Sequence, residues 1–392
     1  RTKKLPFDNF YHDEINQMID VRAEYSIWQD QTARWSYARQ SPWILTANTK
    51  TSFVRYCSRV MMMERQRNIM THATQYLDDL PMVTTLDLFF ILKVDRKNMV
   101  MDTFQQIAML KDPDMDLKKP LKVVFKDEPG VDEGGLQREF FQIIVADLLN
   151  PDLNIFKPVN NEFYWFNRKA TDPTSKQSLL LAGTIVGLAI YNGQLLNVRF
   201  PIVLYKKLRG MTVTFDDLNE LDPQLHSSLQ SILNYNGNVE DMDLLYEYDN
   251  VPLIQNGLNT PVTNQNREQY VRDVANYLLN KSIDMQFEAF KIGFLQAAGD
   301  IVMNLFRPEE LSLLVAGRED YDFTALQKVT RYEGGYTADS KPVKAFWHIV
   351  NTRMTEEEKK KLLVFTTSSP RVPINGLKAI PFVIAKDGER NN

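Results

Sequence analysis

Leu121-Lys-Val-Val-Phe125, followed by Val131-Asp-Glu-Gly-Gly-Leu-Gln-Arg-Glu-Phe-Phe141 and closed by Asn150-Pro-Asp152, decides the class of fold. The first run has the β-branched and aromatic residues of a short strand. Pro129-Gly130 predicts a turn, and the apolar spacing beyond it predicts a helix from about Gly135 to Leu149, which Asn150-Pro151-Asp152 stops. Working outward, Glu162 to Phe166 reads as another strand and Ser178 to Tyr191 as a buried helix. Pro223 to Tyr235 is an amphipathic helix with Leu225, Leu229, Ile232 and Leu233 on one side, and a long helical pattern runs from about Asn266 to Ala298. Arg307-Pro308-Glu309-Glu310 opens a short helix with its proline at an early position, where the missing N–H costs little. Thr355 and Glu358 form a capping box at the start of a helix running to Val364, with Lys359, Lys360 and Lys361 toward its end. Leu377 to Lys386 reads as strand. Upstream, residues 9–80 are helical and aromatic, interrupted at Pro42, with a second stretch over Lys50 to Met63; they predict a helical extension wrapped on a larger body. The class is α+β, rich in helix, with no repeat period.

The 392 residues leave room for two or three compact units. A hydrophobic content of 44% with 24% charged residues is globular composition, which sets aside a disordered or fibrous chain. A net charge of −4 supplies no bulk attraction to nucleic acid or anionic membrane. One cysteine excludes an intramolecular disulfide framework and suits a reducing compartment. His12, His72, His226 and His348 are too scattered for a local zinc motif. The most apolar run, Leu179 to Tyr191, is well short of the roughly 20 residues that span a bilayer. Arg1 opens no signal-peptide pattern and reads as the start of a piece of a longer polypeptide. An intracellular protein, cytoplasmic or nuclear, is the plain expectation.

Phosphate loops, dinucleotide glycine motifs, nucleophile elbows and H-E-x-x-H zinc motifs do not occur in the sequence. Val131-Asp-Glu-Gly-Gly135 could hold an acid/base pair or a metal; the simpler reading is a glycine turn with acids at a helix start. Gly183 and Gly187 have the small-xxx-small spacing that lets two helices pack closely, and Gly334-Gly335 reads as a turn. Cys57 lies mid-helix, two residues from Arg55 and Arg59, which do not share its face; it reads as an inert, packed thiol.

The 131–141 string with Asn150-Pro-Asp152 resembles the HECT-type ubiquitin ligases. So, in the same order along the chain, do Gly187-Leu-Ala-Ile-Tyr-Asn192 with Phe200-Pro201, Asn238-Val-Glu-Asp241, Thr263-Asn-Gln-Asn-Arg267, Phe306-Arg-Pro-Glu-Glu310, Tyr332-Glu-Gly-Gly-Tyr336, Phe346-Trp347 and Phe365-Thr-Thr-Ser-Ser-Pro-Arg371. Phe10-Tyr11 and Pro42-Trp-Ile-Leu45 look like the segment preceding some members. The resemblance implies a bilobal fold: a helical extension over 1–90, a large helix-rich N-lobe over 91–316 with a subdomain for the ubiquitin-conjugating enzyme at 213–287, a hinge at 317–319, and a small α/β C-lobe, incomplete here, over 320–392. It implies transfer of ubiquitin from a conjugating enzyme to a cysteine thioester and then to a substrate lysine, which is nucleophilic covalent catalysis. The implied partners are the conjugating enzyme, ubiquitin and a protein substrate, with no metal or small cofactor, no nucleic acid and no membrane span. A non-catalytic adaptor that binds conjugating enzymes or ubiquitin is the alternative.

The resemblance implies site residues by position. Leu225, Ser228, Leu229, Tyr235, Leu245, Tyr270 and Val274 match the groove for the conjugating enzyme. Val274 departs from the aromatic residue of some members. Gly317, Arg318 and Glu319 match the hinge. Thr366, Thr367, Ser369, Arg371 and Pro373 match the C-lobe loop beside the catalytic cysteine; Arg371 could orient the ubiquitin tail, favour the thiolate or make a structural salt bridge. Ser368 replaces a frequent glycine. In some members a ubiquitin-binding surface lies near the strand matched by Tyr164 to Phe166. The family's L-P-x-[SA]-H-T-C-F-N motif does not occur before Asn392, so the nucleophilic cysteine is expected shortly after it; Cys57 does not align with it. Between Leu245 and Pro261 the family usually carries a longer hairpin.

Overall fold

A computed structural model describes residues 6–30, 32–33, 35–75, 88–128 and 134–386. Helices dominate, and four two-stranded sheets complete the described part. The buried apolar side chains fall into two cores. The first runs from Tyr25 to Val315, the second from Tyr321 to Phe382, and the chain passes between them at 316–320. The predicted helical extension shares the first core: Tyr25, Ala38, Phe53, Val54 and Cys57 are buried in it. Its main helix, Ala47–Gln75, extends well past the predicted 50–63 stretch.

The centre of the larger body is a pair of helices, Pro173–Tyr191 and Asp284–Ala298. Asp172 caps the first by accepting from the Ser175 N–H at 3.0 Å, and Pro173 occupies its first turn, so the helix begins five residues before the predicted Ser178. The small-residue reading holds. A Cβ on Gly183 would lie 1.9 Å from the Phe290 carbonyl oxygen, and one on Gly187 2.6 Å from that of Phe294. Gly293 answers from the other helix, where a Cβ would meet the Leu180 carbonyl at 2.1 Å. The predicted 266–298 helix is broken. Arg267–Leu279 and Asp284–Ala298 are joined by a 3-10 turn at Lys281–Ile283. At the break, Asn280 leaves helical geometry (φ −130°, ψ −73°) and its side chain accepts from Lys207 Nζ at 2.5 Å. Apolar residues continue through the break, which is why periodicity alone reads one helix.

Leu121–Phe125 is a strand as predicted, and the sequence reading missed its parallel partner, Phe90–Val94. The helix Met99–Ala108 lies in the crossover between them. The predicted Pro129-Gly130 turn and Val131 to Glu133 lie outside the described residues. Gly134 then takes a left-handed conformation (φ +98°) to start the helix Gly135–Leu148. Phe163–Phe166 pairs antiparallel with Phe156–Val159. Phe163, Trp165 and Phe166 are buried and only Tyr164 keeps partial exposure, so the strand faces mostly into the core.

In the smaller body, Arg331–Glu333 pairs parallel with Val383–Ala385, with the helices Lys341–Thr352 and Glu356–Thr367 beside them. Trp347 donates its indole N–H to the Tyr332 hydroxyl at 3.0 Å. The Thr355–Glu358 capping box forms as read, and its helix continues three residues past Val364. The predicted 377–386 strand is shorter: Leu377–Ala379 is a 3-10 turn, and only Val383–Ala385 pairs. Gly334 and Gly335 make the expected turn, both with positive φ. Among the described residues no helix is long and apolar enough to cross a membrane, and no group of three His, Cys, Asp or Glu residues is placed to hold a metal.

Candidate functional site

The joint between the two bodies is built from backbone first. The helix Pro308–Ala316 ends at Gly317, whose φ of +65° suits glycine and whose absent Cβ would lie 2.4 Å from the Val372 carbonyl oxygen. Arg318 donates its N–H to the Val372 carbonyl at 2.8 Å, and Val372 returns the bond to Arg318 at 3.0 Å. Gly317–Glu319 and the 366–373 loop, distant in sequence, therefore form one structure. Arg371 ties it together. Its Nη1 pairs with Glu319 Oε1 at 2.5 Å, and its Nε donates to Asn197 Oδ1 of the larger body at 3.0 Å. Burial draws the Arg371 guanidinium below its usual pKa, while Glu319 opposes that shift. Of the three roles open to Arg371 in the sequence, the geometry here is that of the structural salt bridge.

The rest of the loop is held from within. Thr367 donates its hydroxyl to the Leu363 carbonyl at 2.7 Å, Thr366 donates to that of Leu362 at 3.0 Å, and Ser369 Oγ accepts from the Arg371 N–H at 3.2 Å. Ser368 adopts φ +58°, a left-handed geometry that glycine takes without strain. Across the joint, Arg138 donates from Nη1 to the Thr367 carbonyl at 3.1 Å.

A buried ion pair that sequence reading missed lies at the other end of the Pro308–Ala316 helix. Lys50 Nζ, from the extension, sits 2.8 and 2.7 Å from the two carboxylate oxygens of Glu310, both side chains essentially without exposure. The Tyr11 hydroxyl and the Arg307 N–H each donate to that carboxylate at 2.7 Å. Burial and the neighbouring Glu310 push the Tyr11 phenol upward in pKa, so it stays a donor. The signal available was a lysine on an apolar helical face, which needs a partner if buried; nothing local in the sequence names that partner.

The predicted docking residues separate into two sets. On the helix Pro223–Asn234, capped by Asp222 accepting from the Leu225 N–H at 2.9 Å, Ser228 is exposed and Leu225 half-buried. Tyr235 and Leu245 are 40% and 42% exposed. Leu229, Tyr270 and Val274 instead lie in the core, Val274 with no exposed surface. These three offer a partner almost nothing to touch. Tyr270 stacks edge-on against Tyr246 at 5.3 Å and donates to the Glu247 carbonyl at 3.3 Å. The 245–261 segment is a short hairpin, Glu247–Tyr248 against Val251–Pro252, turned by Asp249 and Asn250 with φ of +54° and +61°. Beyond it, Ile254 and Leu258 are exposed on either side of the turn-forming Asn256-Gly257.

Cys57 is 2% exposed, and burial pushes its thiol up to about 12. It is the inert, packed cysteine the sequence predicts.

Two lobes with separate cores, joined through a glycine-capped helix end and bound to a loop of the smaller lobe, define the class. Residues 142–392 match the model of the HECT-domain (ubiquitin-transferase) family. The chain is 33% identical over 98% of its length to the mouse protein named "Probable E3 ubiquitin-protein ligase HERC4" and 33% identical over 99% to mouse "Probable E3 ubiquitin-protein ligase HECTD2". It is 30% identical over 98% to "Probable E3 ubiquitin-protein ligase HUL4" of Eremothecium gossypii. It spans 38%, 52% and 50% of those proteins' own lengths. This chain belongs to the HECT-domain family of ubiquitin transferases.

Proposed function

We propose that this chain accepts ubiquitin from a conjugating enzyme as a cysteine thioester and delivers it to a lysine of a protein substrate. The observation that carries the reading is the family match over 142–392. A thiolate attacks the carbonyl of the conjugating enzyme's thioester and expels that enzyme's cysteine thiolate; a lysine amine then attacks the new thioester and the thiolate leaves again. Cys57 is no candidate for that thiolate, being buried with its thiol near 12. The proposed nucleophile is a cysteine following Asn392 in the family's pattern.

In this reading the conjugating enzyme docks on the 213–287 subdomain, where Leu225, Ser228, Tyr235 and Leu245 present an apolar and polar rim over Leu229, Tyr270 and Val274. Gly317–Glu319 is the pivot about which the C-lobe turns between donor and acceptor. The supporting observations are the two separate cores and the small number of polar contacts that cross the joint.

The test is a single-turnover charging assay on the polypeptide that contains this chain, with a ubiquitin-loaded conjugating enzyme, read on non-reducing gels. The reading expects a reductant-sensitive adduct that persists in Cys57→Ser and forms at least about ten-fold more slowly in Tyr235→Ala and Leu245→Ala. Loss of the adduct with Cys57→Ser overturns the assignment of the nucleophile. Wild-type rates in both docking variants overturn the groove. Binding of the conjugating enzyme with no adduct makes the protein an adaptor.

A further inference from the structure

The two lobes enclose a cleft of about 200 Å³, walled by Arg55, Arg138 and Gln194 from the larger body and Thr366, Ser369 and Arg371 from the smaller. Among the described residues no Asp or Glu lines it. Three guanidinium groups line this one small space, and among the described residues only Arg371 has an anionic partner, Glu319 at 2.5 Å. Arg138 spends one N–H on the neutral carbonyl of Thr367, 3.1 Å away, and has no anionic partner among the described residues. Arg55 makes no hydrogen bond or ion pair among the described residues, and its Nε lies 3.4 Å from the place a Gly193 Cβ would fill. Ser369 Oγ accepts from the Arg371 N–H and keeps its own proton to donate. The wall thus carries two arginines of the larger body without an anionic partner among the described residues, and faces them with a hydroxyl donor from the smaller body.

We propose that this interlobe cleft binds a small phosphate-class oxyanion, held by Arg55 and Arg138 from one lobe and by the Ser369 hydroxyl from the other. Planar guanidinium groups match phosphate oxygens in bidentate, charge-assisted pairs. A space of about 200 Å³ has room for one or two phosphoryl groups and is too small for a folded partner. An anion touching both lobes favours this lobe arrangement over one in which the C-lobe has turned away, because ligand binding shifts a conformational equilibrium toward the state that binds it. That consequence rests on the pivot proposed above; the binding does not.

The probe is pyrophosphate, titrated calorimetrically into the polypeptide containing this chain at ionic strength held constant with potassium chloride. The expected result is saturable binding that Arg55→Gln and Arg138→Gln each weaken about ten-fold or more, one charge-assisted pair each. Hydrogen exchange should slow with pyrophosphate at 317–319 and 366–373. Arg55→Gln removes no hydrogen bond or ion pair of the side chain among the described residues, so its melting temperature without ligand should stay close to wild type; this separates lost binding from lost folding. Undiminished binding in both variants, or a heat signal that chloride alone reproduces, would overturn the site. Binding that depends on Arg55 without slower exchange at the joint would refute the bridge. Ubiquitin charging enters none of these readouts, so failure of the proposed activity and failure of the anion site are told apart.

Discussion

Glu310→Gln is the sharpest test of how the extension is held. The substitution keeps the size of the side chain and removes the charge that faces Lys50 Nζ at 2.7 and 2.8 Å. Lys50, with 1% side-chain exposure, is left an ammonium in the core beside a neutral amide, although burial already lowers its pKa. Removing one partner of a buried pair costs about 3–5 kcal/mol. At about 2 °C per kcal/mol for a domain of this size, the melting temperature should fall by about 6–10 °C. Lys50→Met should cost a similar amount, because it strands the carboxylate. The double variant Lys50→Met/Glu310→Leu should recover most of the loss, since an apolar pair of similar volume is often as stable as a buried ion pair. Recovery should fall short by about 1–2 kcal/mol, because the Tyr11 hydroxyl and Arg307 N–H lose their acceptor. Urea unfolding of the four proteins, compared at constant m-value, measures each step. A Glu310→Gln protein within about 1 kcal/mol of wild type, or a double variant no more stable than either single one, would refute the reasoning.

Three further outcomes are expected. Gly183→Ala places a methyl 1.9 Å from the Phe290 backbone oxygen, which cannot rotate away, so the helix pair should separate at a cost of about 3 kcal/mol or more; equal urea midpoints would contradict the packing. Lys118 lies 4.6 Å from the centre of the Tyr191 ring and donates to the Ala297 carbonyl, yet burial brings it down to about 8. The unfolded lysine keeps its proton to about pH 10.4, so between about pH 8 and 10 the unfolded state binds more protons and stability should rise with pH. That rise should flatten in Lys118→Met when midpoints are measured across the window. Ser368→Gly relieves a left-handed serine at φ +58° and should stabilise the C-lobe by about 0.5–1 kcal/mol, read as a raised unfolding midpoint; a lowered one would mean that the hydroxyl makes a contact worth more than the strain.

Where the sequence succeeded, the signal was local. The Thr355–Glu358 capping box, the Gly183/Gly187 spacing, the amphipathic Pro223–Asn234 helix and the packed Cys57 each follow from residues within a turn or two of one another. Where it erred, the deciding partner was remote. Phe90–Val94 is a strand because Leu121–Phe125 pairs with it. The 266–298 run breaks where Asn280 meets Lys207 from another helix. The burial of Leu229, Tyr270 and Val274 between two packed helices is likewise not written in spacing alone.

By itself, then, the sequence determined the α+β class, the helices with a clear cap or stop such as Gly135–Leu148 and Pro223–Asn234, and the family, because these rest on short-range chemistry and on motifs in a set order. Only the tertiary structure decided that Lys50 of the extension meets Glu310, that Arg371 is tied to Glu319 and Asn197, and that three arginines converge on one cleft. Lys50 and Glu310 are 260 positions apart, and Arg371 and Asn197 are 174 apart. The physical reason is common to all of them. A charge leaves water only when another charge or dipole meets it, and the residue that meets it is chosen by how the chain closes in space.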